Sequence, residues 1–257
     1  MMTEALRIEV ITVWYNEAFL APFFLRHYAY ADRITLFYDM DSTDQTLDIA
    51  GVFSNVHVIP FRFSASFSSV EKQQMINDRY RQSEYDWVLA VDADEFVFSK
   101  SGPDAFHADI RLFLHSYPGH DVYKAPLYTV YPHYSEAPLD PLLPAVPQRR
   151  HGNIVVPYGF IKPVLLRAGL ADVHWWVGCH DLFGKGVKKC SQSPNWLLGA
   201  HWHKADLNMT RERILKNRIP RIGEDDKARK FSIHYTRESE ASLLEEFARF
   251  AQAPRLF

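Results

Sequence analysis

Only two cysteines, Cys179 and Cys190, occur in 257 residues. That is too few for a disulfide framework, so a reducing compartment, the cytoplasm, is the expected setting. No apolar run approaches the roughly 20 residues of a membrane-spanning helix, which leaves at most peripheral membrane contact, for instance through an apolar face of the last helix. Met1 to Arg7 lack the charged and apolar regions of a signal peptide. The net charge of −2 comes without a long basic run, which argues against a nucleic-acid partner. Internal repeats and low-complexity tracts are missing too. So is a glycine- and lysine-rich phosphate loop after the first strand, which counts against a nucleotidyltransferase. With 47% hydrophobic and 23% charged residues, the chain can bury a real core and reads as a single domain.

Against these absences stands one crowded stretch. Trp87 to Val91 is a short apolar run without polar alternation, as expected for a strand buried on both faces. It ends in three carboxylates within four residues, Asp92, Asp94 and Glu95. Crowded carboxylates repel one another unless a cation or several donors offset the charge. Mg²⁺ or Mn²⁺ beside substrate phosphates uses one or two such groups. The pattern therefore points to a metal–diphosphate site at the carboxyl edge of a parallel sheet, with an acidic turn as the plain alternative.

Upstream, strands are expected at Arg7–Trp14, Arg33–Tyr38 and Asn55–Phe61. Helices are expected over about 17–28, from a Ser42/Gln45 capping box through Ala50, and over 67–81. Three strand–helix units feeding a fourth strand imply parallel pairing and an α/β sandwich, whose ligands sit beyond the strands' carboxyl ends. Three polar clusters fall there: Tyr15-Asn16-Glu17, Asp39-Met40-Asp41, and Asp92 through Glu95. Downstream the reading is a helix from Asp104 to Ser116 opening on Pro103, and a strand from Asp121 to Val130. A proline-punctuated loop with the basic run Gln148–His151 then extends to Pro157. Further strands are expected at 159–167, an edge or irregular strand because of Pro163, at 172–176 and at 196–203. Helices follow from an Asn208 cap to Arg218, and after Thr236 with Leu243, Leu244, Phe247 and Phe250 on one face. Lys162 lies in an apolar strand and needs a partner. Among Trp175, Trp176, Trp196 and Trp202, one of the adjacent pair is free to meet ligand, since neighbours in a strand face opposite ways.

Trp14 through Glu17, Tyr38 through Thr46, Gln73, and Trp87 through Phe96 together resemble the family 2-like glycosyltransferases of GT-A fold. Ile161-Lys162-Pro163, Val173-His174 and His201 through Lys204 are similar more loosely, and residues 7–100 carry most of the match. The resemblance implies a GT-A α/β/α sandwich with a mixed, mainly parallel sheet over residues 1–257. Within it, 7–100 would bind the nucleotide-sugar, 101–205 would face the acceptor and 206–257 would form a helical segment. It implies transfer of a sugar from a UDP-, GDP- or dTDP-sugar to a glycan or other hydroxyl acceptor, with inversion, Mn²⁺ or Mg²⁺, and a place in polysaccharide assembly. Carried over, Asp94 and Asp92 of the D-x-D motif and His174 would hold the metal. Tyr15, Asn16, Glu17, Asp39, Asp41, Gln73, Asp92 and Lys162 would bind the nucleotide-sugar. The family's carboxylate base motif is missing between Lys100 and Phe160, leaving Glu136 and Asp181 as base candidates. The rival readings are a zinc-dependent hydrolase built on Cys179, His180, Cys190, His201 and His203, and an inactive carbohydrate-binding relative.

Overall fold

The computed structural model describes residues 6–102, 105–156, 160–185, 187, 190–191, 197–232 and 235–257. Its first half follows the strand–helix alternation. β1 (Ile8–Trp14) passes through α1 (Ala21–His27) to β2 (Arg33–Asp39). The chain continues through α2 (Thr46–Ala50) to β3 (Val56–Phe61), and through α3 (Ser69–Arg81) to β4 (Trp87–Ala90). These strands pair in parallel in the order β3-β2-β1-β4. All of β4 is buried, and its alternate residues enter different apolar clusters. Trp87 and Leu89 join Phe24 and Leu25 of α1, while Val88 and Ala90 join Ile76 and Tyr80 of α3. A strand covered on both faces has no polar side to show, which is why its sequence does not alternate.

Beyond β4 the chain turns at Asp92–Asp94 directly into β5 (Glu95–Lys100), a strand the sequence reading omitted. β6 (Phe106–His107), α4 (Arg111–Ser116), β7 (Val122–Thr129), α5 (Ala145–Gln148), β8 (Ile161–Arg167), β9 (His174–Trp175), β10 (Leu182–Phe183), β11 (Cys190–Ser191) and β12 (Leu197–His201) follow. The sheet continues β4-β8-β7-β12-β5-β6, and β8 is antiparallel to both its neighbours. β12 runs parallel to β7 and antiparallel to β5. The fold is α/β, with one mixed, mostly parallel sheet running through both halves. No helix among the described residues is long and apolar enough to cross a membrane.

Several expected boundaries move. The helix expected from Pro103 begins only at Arg111, and Pro103 and Asp104 lie outside the described residues, as do Gly159 and Trp196. Of the two alternatives for β8, irregular or at the edge, the first holds: the strand is interior. Its Pro163 sits where the β7–β8 register shifts between Tyr123 and Ala125, so its missing N–H breaks no regular ladder bond. The strand expected over 196–203 ends at His201, where Trp202–Lys204 make a 3₁₀ turn. The Ser42/Gln45 capping box does not form; Asp44 accepts from Thr46 N at 3.0 Å instead. Asp206, not Asn208, caps α6 (Leu207–Arg211), which runs on as a π-helical stretch, Glu212–Arg218. After α7 (Glu224–Ala228), α8 (Glu240–Phe250) buries Leu243 and Phe247 but leaves Leu244 exposed.

Tyr28, at the end of α1, fastens the start of β5. Its hydroxyl donates to Glu95 O at 2.8 Å and accepts from Val97 N at 2.9 Å, fully buried. Tyr28→Phe keeps the volume and orphans both groups. It should therefore lower unfolding stability by about 1–3 kcal/mol, read as a lower urea midpoint at unchanged m-value. An unchanged midpoint would show that these two groups find other partners.

Candidate functional site

The antiparallel register of β12 on β5 sets His201 opposite Glu95. Trp202 N then donates to Asp94 O at 2.7 Å, and the Trp202 side chain turns into the core against Phe23 and Phe96. The residues on either side are left facing Asp94: His201 Nε2 lies 3.6 Å and His203 Nδ1 3.5 Å from Asp94 Oδ2. One potential ligand atom from each of the three falls within 4.8 Å of the others. The imidazoles stack at 5.3 Å, and the Nδ1 atoms of both are buried without a hydrogen-bond partner. Donor atoms sharing one ion at about 2.0–2.2 Å stand roughly 3–3.6 Å apart, so these residues fit a metal. Two imidazoles and one carboxylate suit Mn²⁺, Fe²⁺ or Zn²⁺ better than Mg²⁺. Burial pushes His203 down to about 3 despite Asp94 beside it, which keeps its ring neutral, the form that ligates.

Cations answer every carboxylate of the cluster. Arg213 forks onto Glu17 with two bonds of 2.8 Å and donates to Asp94 Oδ2 at 2.6 Å. Lys72 pairs with Asp92, while Lys162 pairs with Glu95 and stands 4.0 Å from Asp92. Burial alone would raise Asp92 and Asp94. The cations outweigh it, Lys72 and Lys162 at Asp92, and Arg213 at Asp94 with help from the two histidines, so both carboxyls stay below the usual range and ionised. Burial raises Glu17, with Arg213 acting against it.

A cleft of about 640 Å³, partly continuous with solvent, opens beside this cluster. Tyr15, Glu17, Asp39, Arg213, Arg218 and Arg221 line it. Arg221 lies flat on Tyr15, 3.6 Å from the ring centroid, and donates to the fully buried Asp39 at 2.7 Å. Arg213 and Arg218 are five residues apart, the repeat of a π turn, which is why a 3.6-residue pattern did not group them. Asn16 supports the rim instead of lining it. It adopts a left-handed φ of 50°, which asparagine tolerates, and its Oδ1 accepts from Thr43 N at 2.7 Å. Ser42, Asp44 and Thr46 accept in turn from the backbone N–H groups of Asn16, Ala18 and Glu17. Much of that polar motif thus builds the turn.

Other expected site residues stand elsewhere. His174 stacks on Phe183 in the β9–β10 ribbon, so the histidines at Asp94 are His201 and His203. Gln73 is buried against the Cys179 backbone N–H at 3.3 Å and is not among the residues lining this cleft. Asp41 is half-exposed and pairs with Arg62 at 3.1 Å. Lys162 has the partner its burial demands, and it spends its charge on carboxylates. Glu136 orders the proline-rich loop, accepting from Arg150 N at 2.9 Å and meeting His151 Nδ1 at 2.7 Å. Asp181 accepts from its neighbour Leu182 N at 3.2 Å. Among the described residues the zinc set does not come together: Cys179 pairs with Gln73, while His201 and His203 stand at Asp94, and the Cys190 side chain is outside the described residues. The residues missed were Lys72, Arg213, Arg218 and Arg221. The only signal for the arginines was their density between 211 and 221.

Burial also pushes His27 down to about 4, against a 2.7 Å contact with Val97 O. His27 and His203 thus both titrate below the ~6.5 of an unfolded histidine. Below that pH the unfolded chain binds two protons that the folded chain refuses, so stability is full above it and falls on acidification. From pH 6 to 5, urea unfolding with EDTA should show a loss to which these two rings contribute up to about 2.7 kcal/mol per pH unit. The lowered His57 adds to it and the raised Glu17 opposes it. His203→Gln should remove up to about 1.4 kcal/mol per unit of that slope. A flat profile would show that both rings protonate in place.

No family model matches the sequence, and no curated protein matches it either. Among solved structures, S. aureus TarS shares 15% identity at a TM-score of 0.44, over 95% of this chain and 43% of that one. This chain thus spans less than half the length of TarS. The TarS 1–349 fragment in complex with UDP shares 16% at 0.45, over 95% and 71%. A 4-diphosphocytidyl-2C-methyl-D-erythritol synthase shares 13% at 0.36, over 65% and 78%. Likenesses of this order decide no activity, which rests on the site's own residues.

Proposed function

We propose that this chain is a glycosyltransferase that moves a sugar from a nucleotide-sugar to a hydroxyl acceptor. The observation that carries the reading is one cleft joining two chemistries. In one part, Arg221 is held flat by the Tyr15 ring and by Asp39, a planar cation on which a nucleobase would stack. In another, Arg213, which bonds Asp94, lines the cleft together with Arg218 and Lys72, where a diphosphate would lie. Departure of a nucleoside diphosphate builds negative charge on the leaving oxygen, and fixed cations in a partly buried cleft stabilise that charge as it develops. Asp94, His201 and His203 would hold a divalent ion, which when bound adds Lewis-acid neutralisation of the phosphates. Arg213 orients Asp94 and, through Glu17, ties the turn after β1 to the metal end. Inversion at the anomeric carbon, a glycan acceptor and a role in polysaccharide assembly follow from the family resemblance and belong to this proposal.

One observation supports a second reading. A carboxylate with two histidines is also the donor set of hydrolytic zinc sites, which would make the chain a zinc hydrolase without the cysteines.

A thermal-shift panel separates the two, with UDP, GDP and dTDP, with and without Mn²⁺, on the wild type and Asp94→Ala. At a hundred times Kd, a ligand of the folded state adds about 2.7 kcal/mol, a rise of roughly 5–10 °C for a chain of this size. The transferase reading expects one nucleotide to give that rise with Mn²⁺, and the metal-dependent part to vanish in Asp94→Ala. Stabilisation by Zn²⁺ alone, with no response to any nucleotide, would sink it in favour of the hydrolase.

A further inference from the structure

A second cleft adjoins the first, and Phe67, Lys72 and Arg218 line both. It is also lined by Trp176, Gly178, His180, Phe231, Tyr235 and Asp92. The pair Trp175-Trp176 splits as adjacent strand residues do: Trp175 is 1% exposed and Trp176 51%. Looseness does not explain that exposure, because the loop is pinned from below. Asn77 of α3 bonds both the N–H and the carbonyl of Trp175, at 2.9 and 3.0 Å. The Trp175 indole donates to Pro163 O at 2.6 Å, and Gln73 accepts from Cys179 N at 3.3 Å. Gly178 (φ 73°) and Cys179 (φ 54°) make the sharp reversal that returns the chain to the cleft at His180. A β-carbon on Gly178 would stand 2.6 Å from the His180 ring, so the imidazole rests on that glycine.

Resting on the transferase reading above, we propose that this second cleft is the acceptor site and that its occupant is a glycoside. The C–H face of a pyranose would pack on the Trp176 indole, the use to which a rigid, half-exposed aromatic with an apolar face is suited. His180 would be the base. Among the described residues lining the cleft, Lys72 and Asp92 are committed to each other, and Arg218 is stacked on Tyr235. Lys230 is a cation, which leaves histidine as the side chain whose ordinary pKa lies near neutrality. In the step, a His180 ring nitrogen takes the proton from the acceptor hydroxyl. The freed oxygen pair forms the bond to the anomeric carbon of the donor. The bond from that carbon to the phosphate oxygen breaks, its electron pair leaving with the nucleoside diphosphate, and the imidazolium returns its proton to solvent. Glu136 and Asp181 line neither cleft.

The test titrates a panel of p-nitrophenyl hexosides and N-acetylhexosaminides into the wild type, Trp176→Ala, Trp176→Phe and His180→Gln by saturation-transfer NMR. UDP, GDP and dTDP are titrated with Mn²⁺ in parallel. At least one glycoside should bind the wild type, at least tenfold more weakly to Trp176→Ala and within threefold to Trp176→Phe. Nucleotide affinity should be the same in all four proteins. With the matching nucleotide-sugars, that glycoside should accelerate nucleoside diphosphate release. His180→Gln should lower the acceleration at least a hundredfold while binding glycoside within threefold of wild type. No glycoside binding, or binding indifferent to Trp176→Ala, overturns the acceptor site even when nucleotides bind. Glycoside binding through Trp176 without any nucleotide binding keeps the sugar site and removes the transferase reading. A bound glycoside that does not accelerate release, or an acceleration surviving His180→Gln, overturns the base.

Discussion

Charge compensation at the end of β4 is the constraint on which the rest of this structure depends. Asp92, Asp94 and Glu95 leave one strand and enter the next within a single turn, and Glu17 and Asp39 arrive from neighbouring strand ends. Carboxylates held this close and this buried would take up protons if left alone. Each is instead matched by a cation from a different part of the chain: Lys72 from α3, Lys162 from β8, Arg213 and Arg221 from the segment after β12. The sheet order serves this matching. β8 runs antiparallel beside β4 and delivers Lys162 to the same edge, and β12 beside β5 delivers the two histidines.

What could be read from the residues divides along the same line. The parallel half was legible because each strand and helix there is encoded locally, by an apolar run followed by a polar turn. Asp94 was legible because nothing in packing explains three carboxylates after a buried strand. β5 was not, because its residues Glu95–Lys100 look like the tail of the acidic motif, and most of its pairing is with β12, about a hundred residues later, with β6 adding two residue pairs. The same distance hid the histidines at Asp94. Their two-residue spacing was visible, but the turn that faces both toward one carboxylate is made by Trp202 sinking into the core.

The polar motifs misled in an instructive way. Ser42, Asp44 and Thr46 look like ligand groups and are mostly spent on backbone N–H groups of the adjoining turn. Gln73 belongs to a ladder along one face of α3 that also includes Ser69, Asn77 and Tyr80, each bonded to a segment packed over the helix. That face carries little apolar surface, so α3 is a helix that orients its neighbours through hydrogen bonds more than it buries them. Such a polar face reads in sequence as solvated, although Gln73, Asn77 and Tyr80 are buried.

The fork of Arg213 onto Glu17 spans 196 residues of sequence, and the contact of Asn16 with Asn217 spans 201. Closing contacts of such separation comes late in folding, since the entropy of the intervening chain is lost before any bond is gained. During synthesis the β1–β4 half emerges first, and its carboxylates stand without Arg213 and Arg221 until the ribosome has passed residue 221 and cleared it. Of these carboxylates at the strand ends, only Asp92 then has its cation, Lys72 of α3, and the others carry uncompensated negative charge. Like charge gathered at the strand ends opposes the association of two such chains there, a protection that lasts until the chain's own arginines arrive.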